Sequence, residues 1–265
     1  MAILTRDGLI SALGGAKTTS FFKTSIASAA GIVYSHFRTA GEPLAATIPA
    51  TASGNICDRT TPGAIPIPAP SNTSYLAAFS ATLGTLSTLL LSDRLVETGT
   101  LNGTVTTAQT INSVALPPRA ASGANVELWL EIHTALGTTA SSVSASYTNQ
   151  SGVAGRIATL SGGIPASGGG IQRTYRFTLQ AGDTGVQSVQ TLTLGTSTGA
   201  AGAFGIVLRQ MIAVGSSSFA GDGFAQGYAE TGMTIVPDNA CLELMTVPST
   251  TTTGTILGLV RIAQG

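Results

Sequence analysis

Apolar and polar residues alternate with a period of two along most of this chain, the pattern of strands with one face turned to a core. It is clearest in residues 125–157. There Val126, Leu128, Leu130 and Ile132 alternate with Glu127, Trp129, Glu131 and His133, and Val143, Ala145 and Tyr147 resume the alternation after a break at residues 136–138. The turn residues 149–152 close it. The pattern predicts an antiparallel hairpin at the centre of an all-β protein, with the Val126 row in the core and the Trp129 row on a contact surface.

The same reading extends along the chain. Residues 5–13 predict a short helix capped by Thr5 and stopped by Gly14-Gly15. Strands are expected at 21–28 and 32–39, with Tyr34 and His36 on one face. Residues 41–74 hold Pro43, Pro49, Pro62, Pro66, Pro68 and Pro70, which remove ladder donors, so an extended arm is expected there. Its Ile48, Ile56, Ile65 and Ile67 suit it to lie on a surface, its own or a neighbour's. Residues 75–83 and 86–96 read as a strand pair across Gly84-Thr85. A helix over 83–95 is the alternative, disfavoured by Thr85, Ser87 and Thr88. Asn102-Gly103 signals a hairpin turn before a Thr-rich strand at 104–114. Further strands are expected at 156–160, 174–179, 187–194 and 204–214, then a glycine-punctuated excursion at 216–232 and a closing hairpin of 241–247 with 255–262. Regularly spaced short strands of this kind indicate a sandwich or barrel. The expected organisation is residues 1–74 as helix, strand pair and Pro-rich arm, and 75–265 as a β-sandwich body. Removing residues 1–70 is expected to leave that body folded.

Composition narrows the function. The chain has 265 residues, and charged residues make up 9%, with twelve basic and twelve acidic side chains and no formal net charge. An average soluble protein carries about a quarter charged residues. No basic excess exists to hold a phosphate backbone, which counts against nucleic acid as a partner. A surface of Ser, Thr, Gly and Ala supplies little self-repulsion, and few charges have to be desolvated on assembly. This favours a protein packed against copies of itself or a scaffold. Mean hydropathy is +0.35, but no apolar run reaches the roughly 18 to 20 residues of a membrane helix, and no membrane partner is expected. Cys57 and Cys241 could pair only if the fold brings them within disulfide reach, and with no sign of an oxidising compartment two buried free thiols are the default reading.

Candidate chemistry is sparse. His36 and His133 are the only histidines, and no Gly-x-Ser-x-Gly elbow accompanies them. Two histidines and two cysteines, scattered, give no metal spacing. Glu127 and Glu131 on one strand would stand roughly 13 Å apart at about 3.3 Å per residue. That misses both glycosidase windows, about 5 to 5.5 Å and about 6.5 to 9.5 Å. No cofactor and no enzyme activity are expected.

The segments Leu128-Trp129-Leu130-Glu131-Ile132-His133-Thr134-Ala135-Leu136-Gly137 and Ala145-Ser146-Tyr147-Thr148-Asn149-Gln150-Ser151-Gly152 resemble virion structural proteins of tailed bacteriophages. Ser188-Val189-Gln190-Thr191-Leu192-Thr193-Leu194, Phe204-Gly205-Ile206 and the threonine run at 250–253 add to the likeness. Within that class the chain is most similar to a capsid decoration (cement) protein. The resemblance implies an antiparallel, jelly-roll-like β-sandwich and a location in the virion after assembly in the host cytoplasm. It also implies a homo-oligomer, with a trimer as the working expectation, bound to a major capsid protein or other virion proteins. Trp129, Glu131, His133, Ile65 and Ile67 are the expected interface residues. The alternative is a tail or head-fibre component, or an adhesin recognising a host-surface glycan through Trp129 with Tyr147, or through Phe219, Phe224 and Tyr228.

Overall fold

A computed structural model of the chain describes residue 3 and residues 5–111 and 114–265. Helix α1 (Arg6–Gly14) begins where Thr5 Oγ1 accepts a hydrogen bond from the Gly8 amide at 3.0 Å and ends at Gly15, as the cap and stop signals predict. The strands that follow are β1 (Lys17–Lys23), β2 (Val33–Ser35), β3 (Gly41–Glu42), β4 (Asn55–Ile56), β5 (Ser74–Leu83) and β6 (Ser87–Glu97). Then come β7 (Gln109–Thr110), β8 (Glu127–Thr134), β9 (Val143–Asn149), β10 (Arg156–Leu160), β11 (Arg173–Thr178) and β12 (Val186–Leu194). The last are β13 (Ala203–Ser216), β14 (Gly223–Gln226), β15 (Ile235–Val236), β16 (Leu242–Pro248) and β17 (Ile256–Gln264). The protein is all-β and of antiparallel sandwich type. Among the described residues no helix is long and apolar enough to cross a membrane.

The chain forms two compact units. The first comprises Met1–Ala46, Asp58–Asp93 and Met211–Gly265, and the second Thr47–Cys57 and Arg94–Gln210. This differs from the expected division at residue 74. The N-terminal strand β1 is an integral strand of the first unit, paired with β17 from Lys17↔Ile262 to Lys23↔Ile256.

In the first unit one sheet runs β14-β5-β17-β1-β3, with β15 also on β5. Its inward side chains Phe21, Leu76, Phe79, Leu83, Ile256 and Val260 share a core with Leu89 and Leu91 of β6 and Leu242 and Leu244 of β16. β6 pairs with β16 here, and β16 with β2. Two sheet layers thus bury alternate residues against each other. The Pro-rich segment is not a free arm. Ile65 bridges to Leu242, Pro66 O accepts from Thr19 Oγ1 at 2.8 Å, and Ala69 O accepts from Gln264 Nε2 at 3.1 Å. Proline cannot extend a ladder, but its carbonyl still accepts, and the intervening isoleucines supply apolar anchors.

In the second unit β8 lies between β13 and β11, β10 between β11 and β9, and β12 between β9 and β7. Val126, Leu128, Leu130 and Ile132 enter a core with Val143, Ala145, Tyr147, Phe177 and Phe204, as their spacing predicts.

Most of the expected strands form, but that at 21–28 ends with β1 at Lys23, that at 32–39 shrinks to β2, and three expected pairings do not form. β8 and β9 are not a hairpin: β8 pairs with β11 and β13, and β9 with β10 and β12. β5 and β6 join different sheets across Gly84, as do β16 and β17. Each connection carries its own bonds, which fix it as a crossover. Leu136 N donates to Gly169 O at 2.8 Å, and Thr85 Oγ1 donates to Thr253 O at 2.9 Å. Asn102-Gly103 is also not a hairpin turn. Asn102 Oδ1 accepts from both the amide and the hydroxyl of Thr104, an Asx turn. Of the expected strand at 104–114 only β7 is strand, and Asn112 and Ser113 lie outside the described residues.

Candidate functional site

The five expected interface residues lie inside the chain. Relative exposure is 5% for Trp129, 2% for Glu131, 8% for His133, 1% for Ile65 and 8% for Ile67, which corrects their placement on a contact surface. Ile65 and Ile67 belong to the first unit's core. The Trp129 row is buried because β8 is paired on both edges and its second face is covered too, by charged side chains.

Those side chains form an ionic cluster in the second unit. Arg94, on β6, donates from Nε to Glu97 Oε2 at 2.9 Å. Its other two nitrogens grip Glu131 in a fork, Nη1 to Oε2 at 2.8 Å and Nη2 to Oε1 at 3.1 Å. Arg209, on β13, adds a bond to Glu131 Oε2 at 3.2 Å, and its guanidinium carbon lies 5.2 Å from the Trp129 ring centroid. His133 Nε2 stands 3.6 Å from Glu131 Oε1. Two guanidinium groups and two carboxylates balance, which is the condition for keeping charges out of water. The fork geometry matches arginine to carboxylate and fixes both side chains.

The cluster is closed to solvent, and Glu131 spends its oxygens on arginine. Glu127, the other carboxylate of the row, accepts from Trp129 Nε1 at 2.9 Å and pairs with Arg176 at 2.8 Å. Among the described residues no group of three or more His, Cys, Asp or Glu is placed to hold a metal ion. The cluster ties β6, β8 and β13 together within this unit.

The first unit has its own buried polar groups. Lys23 Nζ donates to Thr39 O at 3.1 Å and Pro43 O at 2.6 Å, and burial pushes its pKa down to about 8 against the opposing charge of Glu42. His36 is fully enclosed. Its Nε2 lies 2.9 Å from Thr246 Oγ1, and its Nδ1 has no hydrogen-bond partner among the described residues. Burial, and then the charge of Lys23, push its pKa down to about 3. Cys241 of this unit and Cys57 of the second unit are both buried and form no disulfide.

A second network orders the strand ends of the second unit. Asp183 accepts from Tyr147 Oη, from Asn149 Nδ2 at 2.7 Å and from Arg156 Nε at 2.9 Å. The Arg156 bond leads in pulling the Asp183 carboxyl down to about 2. The Arg94–Glu97–Glu131–Arg209 set and this one escaped sequence reasoning. Charged residues at 94, 97, 131 and 209 have no shared spacing, and a polar residue on a period-two strand reads as solvent-facing. The scarcity of charge was the available signal, because a chain with few charges places each with a purpose.

No protein-family model matches the chain, and no curated protein matches it. Among solved structures it is similar to the infectious bursal disease virus VP2 subviral particle at 8% identity and a TM-score of 0.24, over 94% of this chain and 80% of that one. The Gt strain of the same virus gives 6% identity and 0.23 over the same shares. CtCBM11, studied in solution for its dynamics and binding, gives 11% identity and 0.24 over 53% of this chain and 96% of that one. Overlays this loose carry no argument about the function of the chain.

Proposed function

We propose that this chain is a non-enzymatic structural protein of a virus particle, which self-associates and packs on the capsid shell to stabilise it. The observation that carries the reading is where its few charges go. Of twelve basic and twelve acidic side chains, Lys23, Asp93, Arg94, Glu97, Glu131, Arg209 and Glu243 are buried. That leaves seventeen of the twenty-four at or near the surface. Such a surface has little self-repulsion and little to desolvate when copies pack together. Both histidines are enclosed, and the carboxylates of the Trp129 row are held by arginine, which supports a role without catalysis.

The alternative, a fibre component or glycan-binding adhesin, loses the Trp129 and Tyr147 platform because both rings are buried. Phe219 and Tyr228 are exposed, whereas Phe224 packs edge-on against Phe79 at 5.0 Å. The deciding experiment mixes the purified chain with particles lacking it and sediments them. Saturable co-sedimentation at a fixed stoichiometry, with a cryo-EM map placing the density on the shell, is the expected result. Chain that stays in the supernatant at every ratio removes the capsid reading.

A further inference from the structure

In the second unit β8 and β11 are neighbours for only part of their length. Their ladder runs Thr174↔Glu131, Tyr175↔Leu130, Arg176↔Trp129, and stops. Continuing the register would set Phe177 opposite Leu128, Thr178 opposite Glu127 and Leu179 opposite Val126. A cleft of about 460 Å³ stands there instead, with residues 125–128 on one side, residues 176–179 on the other, and Asp183 and Thr184 beside them. The far edges of both strands are occupied. Leu128 and Glu127 pair with Leu208 and Arg209 of β13, and Phe177 and Thr178 with Leu160 and Thr159 of β10. Alternate residues of a strand direct their N–H and C=O groups to opposite edges. Leu130 O accepts from Thr174 Oγ1 of β11, which sets the backbone groups of Leu128 on the cleft's side, whereas the amides of Asn125 and Val126 are bonded to Thr184 O and Gly123 O. The edges facing the cleft therefore present the backbone groups of Leu128 and Phe177, from two directions.

The walls define what fits. Val126, Leu128 and Phe177 are buried in the unit's core, and Leu179 packs on it, so the cleft offers backbone edges rather than apolar side chains. At the mouth Glu127 and Arg176 neutralise each other at 2.8 Å, and Asn125, Thr178 and Thr184 are exposed and uncharged. No net charge selects an ionic ligand. No aromatic face is offered for a sugar to stack on, because Trp129 is buried with Arg209 over its ring. We infer that this cleft receives an uncharged, extended peptide segment of another polypeptide, which completes the interrupted ladder by strand addition. The missing pairs set its length at about three to four residues, at roughly 3.3 Å each.

The inference is independent of any role in a virus particle, and the chain carries its own reporter. Trp129 is the only tryptophan, sits at the last ladder pair, and bonds Glu127 at the mouth. The test titrates the full chain with acetyl-Thr-Val-Thr-Val-amide and follows Trp129 emission. A saturable change with Kd about millimolar is expected. A peptide with proline at its second position, which lacks that donor, should bind about tenfold more weakly. Thr178→Tyr, a strand-compatible change at an exposed position, should weaken the first peptide about tenfold with the thermal midpoint unchanged. Should that variant not fold, the proline comparison on the unaltered chain decides alone. Absence of a saturable change up to about 10 mM, equal binding of the proline peptide, or saturation by maltose with none by peptide would each overturn the inference.

Discussion

Glu131 is the residue on which the second unit's buried charge depends, since both guanidinium groups bond to it. Glu131→Ala removes the forked acceptor of Arg94 and takes a bond from Arg209. Breaking one partner of a buried pair costs about 3 to 5 kcal/mol. Urea unfolding followed by Trp129 emission should show a loss of that size, and Glu131→Gln, which keeps an acceptor, a smaller one. A loss below about 1 kcal/mol, the worth of a surface pair, would mean the cluster is open to water. His36 makes the opposite kind of demand. Its folded pKa is pushed down to about 3 from an ordinary 6.5, so the unfolded chain takes up a proton that the folded chain refuses. Below pH 6.5 its contribution lowers stability as pH falls, and the effect is complete near pH 3. The slope is about 1.36 kcal/mol per pH unit for one proton. His36→Gln should flatten the stability profile between pH 6 and 4 by one proton's worth, measured by urea titration at each pH. An unchanged slope would show that His36 is accessible to protons in the folded state.

At the scale of elements, the strand positions were legible in the sequence and their partners were not. The period of two predicts which face of β8 enters the core, and Val126, Leu128, Leu130 and Ile132 are there. The same period says nothing about which edge meets which strand. A short turn between two alternating runs fits a hairpin and a crossover equally well, so β8–β9, β5–β6 and β16–β17 were each expected as pairs and none is one. The Trp129 row was misread for a related reason: polar identity on one face implies water only where nothing else covers that face, and here arginines from β6 and β13 do. The prolines of residues 41–74 were read rightly as barring a central strand, but they do not bar packing. Ile65 and Ile67 belong to the first unit's core, and β1 supplies it with Phe21. This reverses the expectation for truncation. A chain of residues 75–265 lacks β1, so β17 loses the partner it holds from Lys17 to Lys23. Such a piece should show no cooperative thermal transition for the first unit and no dispersed amide resonances from β17. A cooperative melt with native β17 resonances would restore the division at residue 74.

For the whole molecule, the proposed self-association depends on how charge is distributed. An interface built from complementary ions weakens with salt, because the Debye length shrinks from about 10 Å at 0.1 M to about 3 Å at 1 M. Contacts between uncharged apolar and hydroxyl-bearing surfaces have no such dependence, and excluded salts such as sulfate strengthen them. The exposed face of the first unit's sheet fits the second case. Phe22 and Leu257 are cross-strand neighbours there, both exposed, and Thr82 is the next residue in the row. Aromatic and aliphatic neighbours of this kind, left open to water, favour association by the area they remove from it. Sedimentation velocity across a concentration series should therefore give an association constant that holds or rises between 0.1 M and 1 M sodium sulfate. Leu257→Glu, which puts a charge in that row without touching the buried face of β17, should shift the oligomer toward monomer by about tenfold or more at equal concentration. Dissociation by salt would assign self-association to the exposed charges instead, and an unaffected Leu257→Glu oligomer would move it to another face.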